Sequence, residues 1–487
     1  NSLTSVDGLN QKFMLIKNKN NRTEVKLTGP CTPADLGDKI LVKVPVDDAV
    51  NMIYDGIDTK DPPEMGFIER IKYYADMYEK DEKIPFCPGK YCGDCQFTAT
   101  KEDEEQGYIS GFKECWQGAF NLTDDDFDKP MIFDIWNYRK KDDLIEQNKL
   151  FIEDVSESDF TFKDSDSPGI TTGERQWLQV QKVQKNDPTP WLDKYGLESE
   201  MRRWNYPLHL IDFETTLTAI PFNRGRRPYE VVAFQFSHHT VQKDGAITHA
   251  GEYINRNRGE FPNYDFLRHL KKELENDNGT VFRYAAHENT VLNHIHAQLS
   301  AESPEDIPDR DELMAFIETI TTKKDGKTIF WDGPRTMVDM LQLVKNYYYN
   351  PLMQGSNSIK KVLPAVLNES DFLKEKYSQP IYGSANGIKS LNFTDKTWIE
   401  YDGAMVKDPY KTLPYIFEDI YADSLDRFIT SEELADGGAA MMAYAKMQFS
   451  EMSDEERESI TAALLRYCEL DTFAMVMIYE HWFNEVN

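Results

Sequence analysis

Basic residues are in short supply: 55 Lys and Arg stand against 84 Asp and Glu, a net charge of −29 over 487 residues. A balance this acidic excludes passive coating of nucleic acid, which needs a basic surface. It leaves room for an enzyme that holds nucleic acid through metal ions and a local basic groove. Cysteine is sparse as well, with 6 in the chain, and this speaks against a secreted disulfide scaffold. No apolar run reaches the roughly eighteen residues needed to span a bilayer, and neither an internal repeat nor a long low-complexity tract is present. The first residues, Asn-Ser-Leu-Thr-Ser-Val-Asp, read as neither a signal peptide nor a targeting helix, so a cytoplasmic protein is expected. Aromatics, in contrast, are plentiful, with 25 Tyr, 27 Phe and 8 Trp. The chain is long enough for about two to four separate cores. Acidic residues concentrate in 102–105, 123–128, 153–166 and 417–436, and are expected on solvated surface.

Four of the 6 cysteines crowd together: Cys87, Cys92, Cys95 and Cys115, spaced C-x4-C-x2-C and then nineteen residues to the last. A CxxC pair with two further thiols in reach can close a tetrahedral site. Spacing does not separate zinc from an iron–sulfur cluster. Upstream, short strands are expected at 12–17, 23–27 and 39–44, and helices from Asp47 to Tyr54 and from Met65 to Asp81. Glu24-Val25-Lys26 resembles half of a PD-(D/E)xK nuclease motif, but Asp7 is the only upstream acid and Gly29-Pro30 follows at once, so little weight falls on it. Residues 121–202 read as a partly helical connector, with a strand at 130–136 and helices at 140–150 and 173–185.

From 203 onward, strand and helix alternate. The apolar run Leu208 to Ile211 reads as a buried strand with two carboxylates, Asp212 and Glu214, at its end. Alternate strand residues share a face, so the two acids project side by side. Such a pair repels itself unless a cation intervenes, and hard divalent ions favour these ligands. The runs 229–237 and 246–253 complete an antiparallel meander, and helices are expected at 266–276, 290–299, 340–348 and 454–484. A further buried strand, 280–286, leads to Glu288. The last helix carries Tyr467 and Asp471, four apart and therefore on one face. Carboxylates converging from three elements suit two divalent ions about 4 Å apart, the clamp used in phosphodiester hydrolysis.

The order DxE, then a single acid after a strand, then YxxxD resembles the tyrosine subgroup of the DEDD exonucleases, in the DnaQ-like, RNase-H-fold superfamily. Tyr-Pro-Leu-His-Leu-Ile-Asp-Phe-Glu at 206–214, Arg-Pro-Tyr-Glu-Val-Val-Ala-Phe-Gln-Phe-Ser-His-His at 227–239, Gly-Ser-Asn-Ser-Ile-Lys-Lys-Val-Leu-Pro at 355–364 and Tyr-Cys-Glu-Leu-Asp-Thr-Phe-Ala-Met-Val at 467–476 narrow the likeness. In that order they resemble a bacterial family of unknown function, domain of unknown function 2779. Its carboxy-terminal half is DnaQ-like, and its amino-terminal half is commonly a RecB-type PD-(D/E)xK domain closed by cysteines.

The resemblance implies an α/β chain in three parts. These are a cysteine-containing α+β remnant of the RecB-type region (1–120), a connector (121–202), and an RNase-H-like exonuclease domain with a mixed sheet flanked by helices (203–487). It implies a 3′–5′ exonuclease on DNA or RNA that uses two Mg2+ or Mn2+ ions. Asp212 would bridge both ions, Glu214 would bind one, Asp471 would hold the ion that activates water, and Tyr467 would orient that water. Thr215 and Thr216 would lie near the terminal nucleotide, and Lys360 and Lys361 could meet phosphate. The third acid departs from the superfamily, because Tyr284-Ala-Ala-His-Glu288 replaces the usual Asp after Asn-x-x-Phe. Asp339 also follows a strand, where a capping role is the simpler expectation. Two other readings stand beside the nuclease: a catalytically weak or inactive module of the same fold that binds nucleic acid or protein, and a different metal-dependent hydrolase.

Overall fold

The computed structural model describes residues 13–17, 23–27, 43–55, 65–84, 88–165, 168–219, 221–223, 225–413, 432–450 and 452–487. The chain divides into two compact units, Lys39–Asp159 and a larger one comprising Ser2–Asp38 with Phe160–Asn487.

In the smaller unit, Asp47–Asp55 and Phe67–Glu79 are helical as expected. Its core lies further on, where Trp116 is fully buried beside Ile132, Leu144 and Ile152. Phe112, Phe120 and Phe133 surround that indole with centroids 5.5, 5.0 and 5.3 Å away. The strand expected at 130–136 is absent. Met131 makes an isolated bridge to Phe151, and Ile132–Asp134 is a 3-10 turn. The cause is local. The Asp134 carboxylate accepts the Met131 backbone N–H at 3.1 Å, and Asp126 and Asp154 close equivalent turns on Thr123 and Phe151. An aspartate three residues along offers the backbone a better partner than a distant strand does. Likewise, 43–46 form no strand, and 39–42 fall outside the described residues.

The larger unit contains, in chain order, a hairpin of β1 (Phe13–Lys17) and β2 (Thr23–Leu27), then β3 (Trp191–Leu192), then β4 (Leu208–Leu217), β5 (Val231–Val241), β6 (Ile247–Ile254), β7 (Val281–Arg283), β8 (Thr322–Asp325), β9 (Thr328–Asp332) and β10 (Val338–Asp339). Five of these form one mixed sheet in the order β10-β7-β4-β5-β6. β4, β5 and β6 make the expected antiparallel meander, and β7 and β10 continue it in parallel from β4. β4 runs well past Ile211, so Asp212 and Glu214 sit within the strand, ahead of a register irregularity between Glu214 and Thr215.

Alternation along β4 assigns the two faces. Leu208 and Leu210 pack with Leu470, Phe473 and Val476 of the last helix, Asp454–Val486. Ile211 and Phe213 pack with Phe266, Leu292 and Ile317, from the helices Asn263–Leu274, His287–Ala301 and Arg310–Ile320. The last helix is buried nearly all round through its second half, as a helix enclosed within a domain must be.

One cation ties the helix Thr172–Gln184 to the rest of this unit. Arg175, 2% exposed, donates to the carbonyls of Val344, Lys345 and Tyr348 at 3.1, 3.2 and 2.7 Å and to the Asn357 amide oxygen. Burial lowers its pKa to about 10, so it remains charged at neutral pH. Arg175→Leu would strand these acceptors without water. We expect it to cost about 3 kcal/mol or more in urea unfolding; a loss below about 1 kcal/mol would mean that water replaces the guanidinium.

Candidate active site

The site lies along β4 just beyond its parallel pairing with β7, near the edge of an open α/β sheet where ligand sites usually form. Asp212 and Glu214 face the last helix from β4. That helix presents Asp471 and, one turn earlier, Tyr467. One ligand oxygen from each of Asp212, Glu214 and Asp471 lies within 4.8 Å of the others. Cys468 packs directly over the strand, with its thiol donating to the Asp212 carbonyl at 3.7 Å and to Asp212 Oδ2 at 3.6 Å.

Glu288 does not end a strand. After β7 the chain turns through Ala285, at φ 75, and Glu288 lies in the first turn of the helix His287–Ala301. It is 1% exposed, and its Oε2 has no hydrogen-bond partner among the described residues. It is not one of the three clustered acids, yet its charge is felt by Asp212. Asp339 caps the helix Met340–Tyr347 by accepting from the Gln342 backbone at 3.3 Å. It also accepts from the Ala285 backbone at 3.1 Å and from Arg283 at 3.2 Å, which fixes the loop that leads to Glu288.

Two residues complete the wall opposite Asp212. Tyr410, on the 3-10 turn Pro409–Thr412, donates its hydroxyl to Asp471 Oδ1 at 2.6 Å, and its ring lies 6.0 Å from that of Tyr467. The Lys360 ammonium stands over both rings, 5.8 Å from Tyr410 and 5.5 Å from Tyr467. Lys361 is exposed, and its charge acts on Asp408. Thr215 Oγ1 lies 3.2 Å from His287 Nε2, and the buried Thr216 hydroxyl has no hydrogen-bond partner among the described residues. Sequence reasoning missed Tyr410 and Cys468. Cys468 could have been found from its place one residue after Tyr467, whereas nothing in the local pattern around Tyr410 pointed to the site.

The electrostatics fit a cation. Burial first, then Asp471, Glu288 and Glu214, push the Asp212 carboxyl well above its ordinary range. Burial, with Asp339 and Asp471 behind it, pushes Glu288 up to about 8 against the opposing pull of its backbone hydrogen bond and of Arg283. Crowded, desolvated carboxylates with an orphaned oxygen are the hard-oxygen donor set that Mg2+ or Mn2+ prefers.

Of the cysteines, Cys87 lies outside the described residues. Cys92, Cys95 and Cys115 are free thiols; burial and then the neighbouring Cys95 and Cys92 raise the Cys115 pKa.

A family model described as Domain of unknown function (DUF2779) matches residues 209–358. The matched span holds Asp212, Glu214 and Glu288 and stops short of Tyr467 and Asp471. No curated protein and no solved structure matches the chain.

A group whose pKa is raised by folding takes up a proton as the chain folds. Its contribution to stability is therefore complete below the unfolded carboxylate pKa and is lost as pH rises through the folded value. For Glu288 that window closes at about 8. Thermal melts in chelator should show the melting temperature falling from about pH 5 to about pH 9, with a shallower fall in Glu288→Gln. Equal slopes in the two proteins would place the proton uptake elsewhere.

Proposed function

We propose that residues 203–487 form a DnaQ-like exonuclease of the RNase-H fold that removes nucleotides from the 3′ end of DNA or RNA. The observation that carries this reading is the clustering of one ligand oxygen each from Asp212, Glu214 and Asp471 within 4.8 Å, between β4 and the last helix. The sheet order, three antiparallel strands continued by two parallel ones, supports it. Asp212, Glu214 and Asp471 would hold Mg2+ or Mn2+, with Glu288 beside them. Divalent ions there would lower the pKa of the attacking water and stabilise charge on the leaving oxygen.

The chain's own groups supply the rest. The Tyr467 hydroxyl, one turn from Asp471, orients the water for in-line attack. The Lys360 ammonium, held over two tyrosine rings, offers positive charge to the phosphate in an otherwise acidic protein. Thr215 and Thr216 border the strand end where the terminal nucleotide would lie. Tyr410 holds Asp471 in one rotamer through its hydrogen bond.

The competing reading, a binding module without turnover, draws on Glu288 standing outside the clustered three. The assay that separates the two uses end-labelled DNA and RNA with magnesium or manganese. Wild type should shorten one of them from the 3′ end, and Asp212→Ala should not. Tyr467→Phe should bind metal normally and cleave roughly a hundredfold more slowly in single turnover. Intact substrate after incubation of metal-loaded wild type with both polymers would leave the binding module as the better account.

We assign Cys87, Cys92, Cys95 and Cys115 to a second, thiolate-rich metal centre that holds zinc or an iron–sulfur cluster, on their spacing and on the effect of Cys95 and Cys92 on the Cys115 thiol. Elemental analysis of protein purified without chelator should find zinc or iron, reduced in Cys95→Ser. Neither metal in the wild type would end this assignment.

A further inference from the structure

A second polar cluster lies under the last helix, on the flank away from Asp471. Glu469 and Asp471 are two residues apart, about 200° around the helix axis. Glu469, fully buried, meets His249 and Glu252 of β6; one ligand atom from each of the three falls within 4.8 Å of the others.

The hydrogen bonds around the cluster fix where the protons are. Tyr382 has one hydroxyl proton and gives it to the Glu469 carboxylate at 2.6 Å. His239 Nε2, 2.9 Å from the same hydroxyl, must then be the donor to it. Burial keeps the His239 imidazole neutral, so its Nδ1 accepts from the Thr472 hydroxyl at 2.8 Å. With that proton committed, Ser237 is the donor to Thr472 at 2.8 Å. Ser237 has then used its only proton, so His249 Nε2–H donates to it at 3.0 Å. With Nε2 carrying the proton, the neutral tautomer of His249 would present its lone pair on Nδ1. That atom is buried, has no hydrogen-bond donor against it among the described residues, and stands 3.2 Å from Glu469 Oε1, which accepts from Tyr382 and Ser390. A lone pair set against a carboxylate is repulsive unless a cation lies between them.

The geometry points to a binding site for one divalent transition-metal ion of the zinc class, with His249 Nδ1, Glu252 and Glu469 as its ligands. One nitrogen with two carboxylates is a donor set for such ions rather than for magnesium, which takes oxygen. The surroundings are those of a metal site. Ser237 holds the far nitrogen of His249 and so sets its tautomer. The Asn392 amide donates to Glu252 at 2.6 Å and to Glu469 at 2.8 Å, which orients both carboxylates. Glu252 and Asn392 are only half-buried, and this leaves an entry path. The ion would pin edge strand β6 to the helix that carries Asp471. It is independent of the nuclease reading.

The rival arrangement is a metal-free network in which His249 carries a second proton. To separate them, the full chain is stripped with chelator, reloaded with Zn2+, freed of excess metal, and assayed for zinc per chain. Glu252→Gln is the principal variant because its side chain reaches solvent; His249→Asn is the second. Zinc at the cysteines or at Asp212 is common to all three proteins, so only the difference counts. Folded Glu252→Gln, checked by circular dichroism, should hold one zinc fewer per chain than wild type. Zinc should also raise its melting temperature less. Equal zinc content and an equal zinc-induced shift in wild type and Glu252→Gln would overturn the proposal in favour of the doubly protonated histidine.

Discussion

Like charge packed into a desolvated space is the constraint around which the larger unit is arranged. Asp212, Glu214 and Asp471 converge within 4.8 Å, with Glu288 adding to the field at Asp212. Two unit charges at 4 Å repel by about 4 kcal/mol at an effective dielectric constant of 20. A fold that sets such groups together must over-determine their positions. β4 pairs with β5 at both acids, Asp212 opposite Ser237 and Glu214 opposite Gln235, so the backbone beneath them is held from that side. Asp471 rides on a 33-residue helix that is buried nearly all round from Cys468 to Tyr479. Asp339, Arg283 and the cap on the helix Met340–Tyr347 hold the loop that leads to Glu288. The apolar core is what permits the polar centre, because a looser scaffold would relieve the repulsion by moving apart.

The overall charge of −29 says little about this centre. Much of the acidity is local structure. Asp126, Asp134, Asp154 and Asp159 each accept from the backbone N–H three residues before them and so hold short turns together. Others are in surface ion pairs, such as Arg268 with Asp309 and Lys101 with Asp128. Exposed pairs of this kind contribute about 0–1 kcal/mol each. A local feature that the average over the surface hides is the Lys360 ammonium placed over Tyr410 and Tyr467. Charge counting alone would have argued against the site that the geometry presents.

Legibility in the sequence followed the range of the interactions. The period of 2 in β4 and the four-residue step from Tyr467 to Asp471 are local, and both were readable from the chain. So were the meander and the last helix, since their apolar patterns run longer than any competing turn. The segment 130–136 misled because its apolar residues suit a strand, while Asp134 closes a turn that no hydrophobic pattern reports. Glu288 was placed at a strand end because β7 is only three residues long and the helix begins at once. Tyr410 was invisible for a different reason. It reaches Asp471 across 61 positions from a turn whose own sequence specifies only the turn. Pairing over that distance is decided by packing, and a single sequence carries no record of it.

The last helix shows how far one element can be made to serve. With about 100° between successive residues, Tyr467 and Asp471 fall on one flank, Glu469 on the other, and Cys468 between them against Asp212. Thr472 belongs to the second flank, where it joins Ser237 and His239. Leu470, Phe473 and Ala474 supply the apolar contacts that hold this rotation. The two polar clusters are therefore in register with each other through the helix itself. A rotation of the helix that improved one would turn the other away from its partners on the sheet. This is why so hydrophobic a helix can carry several buried polar side chains without loss of definition. Glu469, Asp471 and Thr472 meet their partners at a single setting, and the apolar residues between them make that setting the packed one.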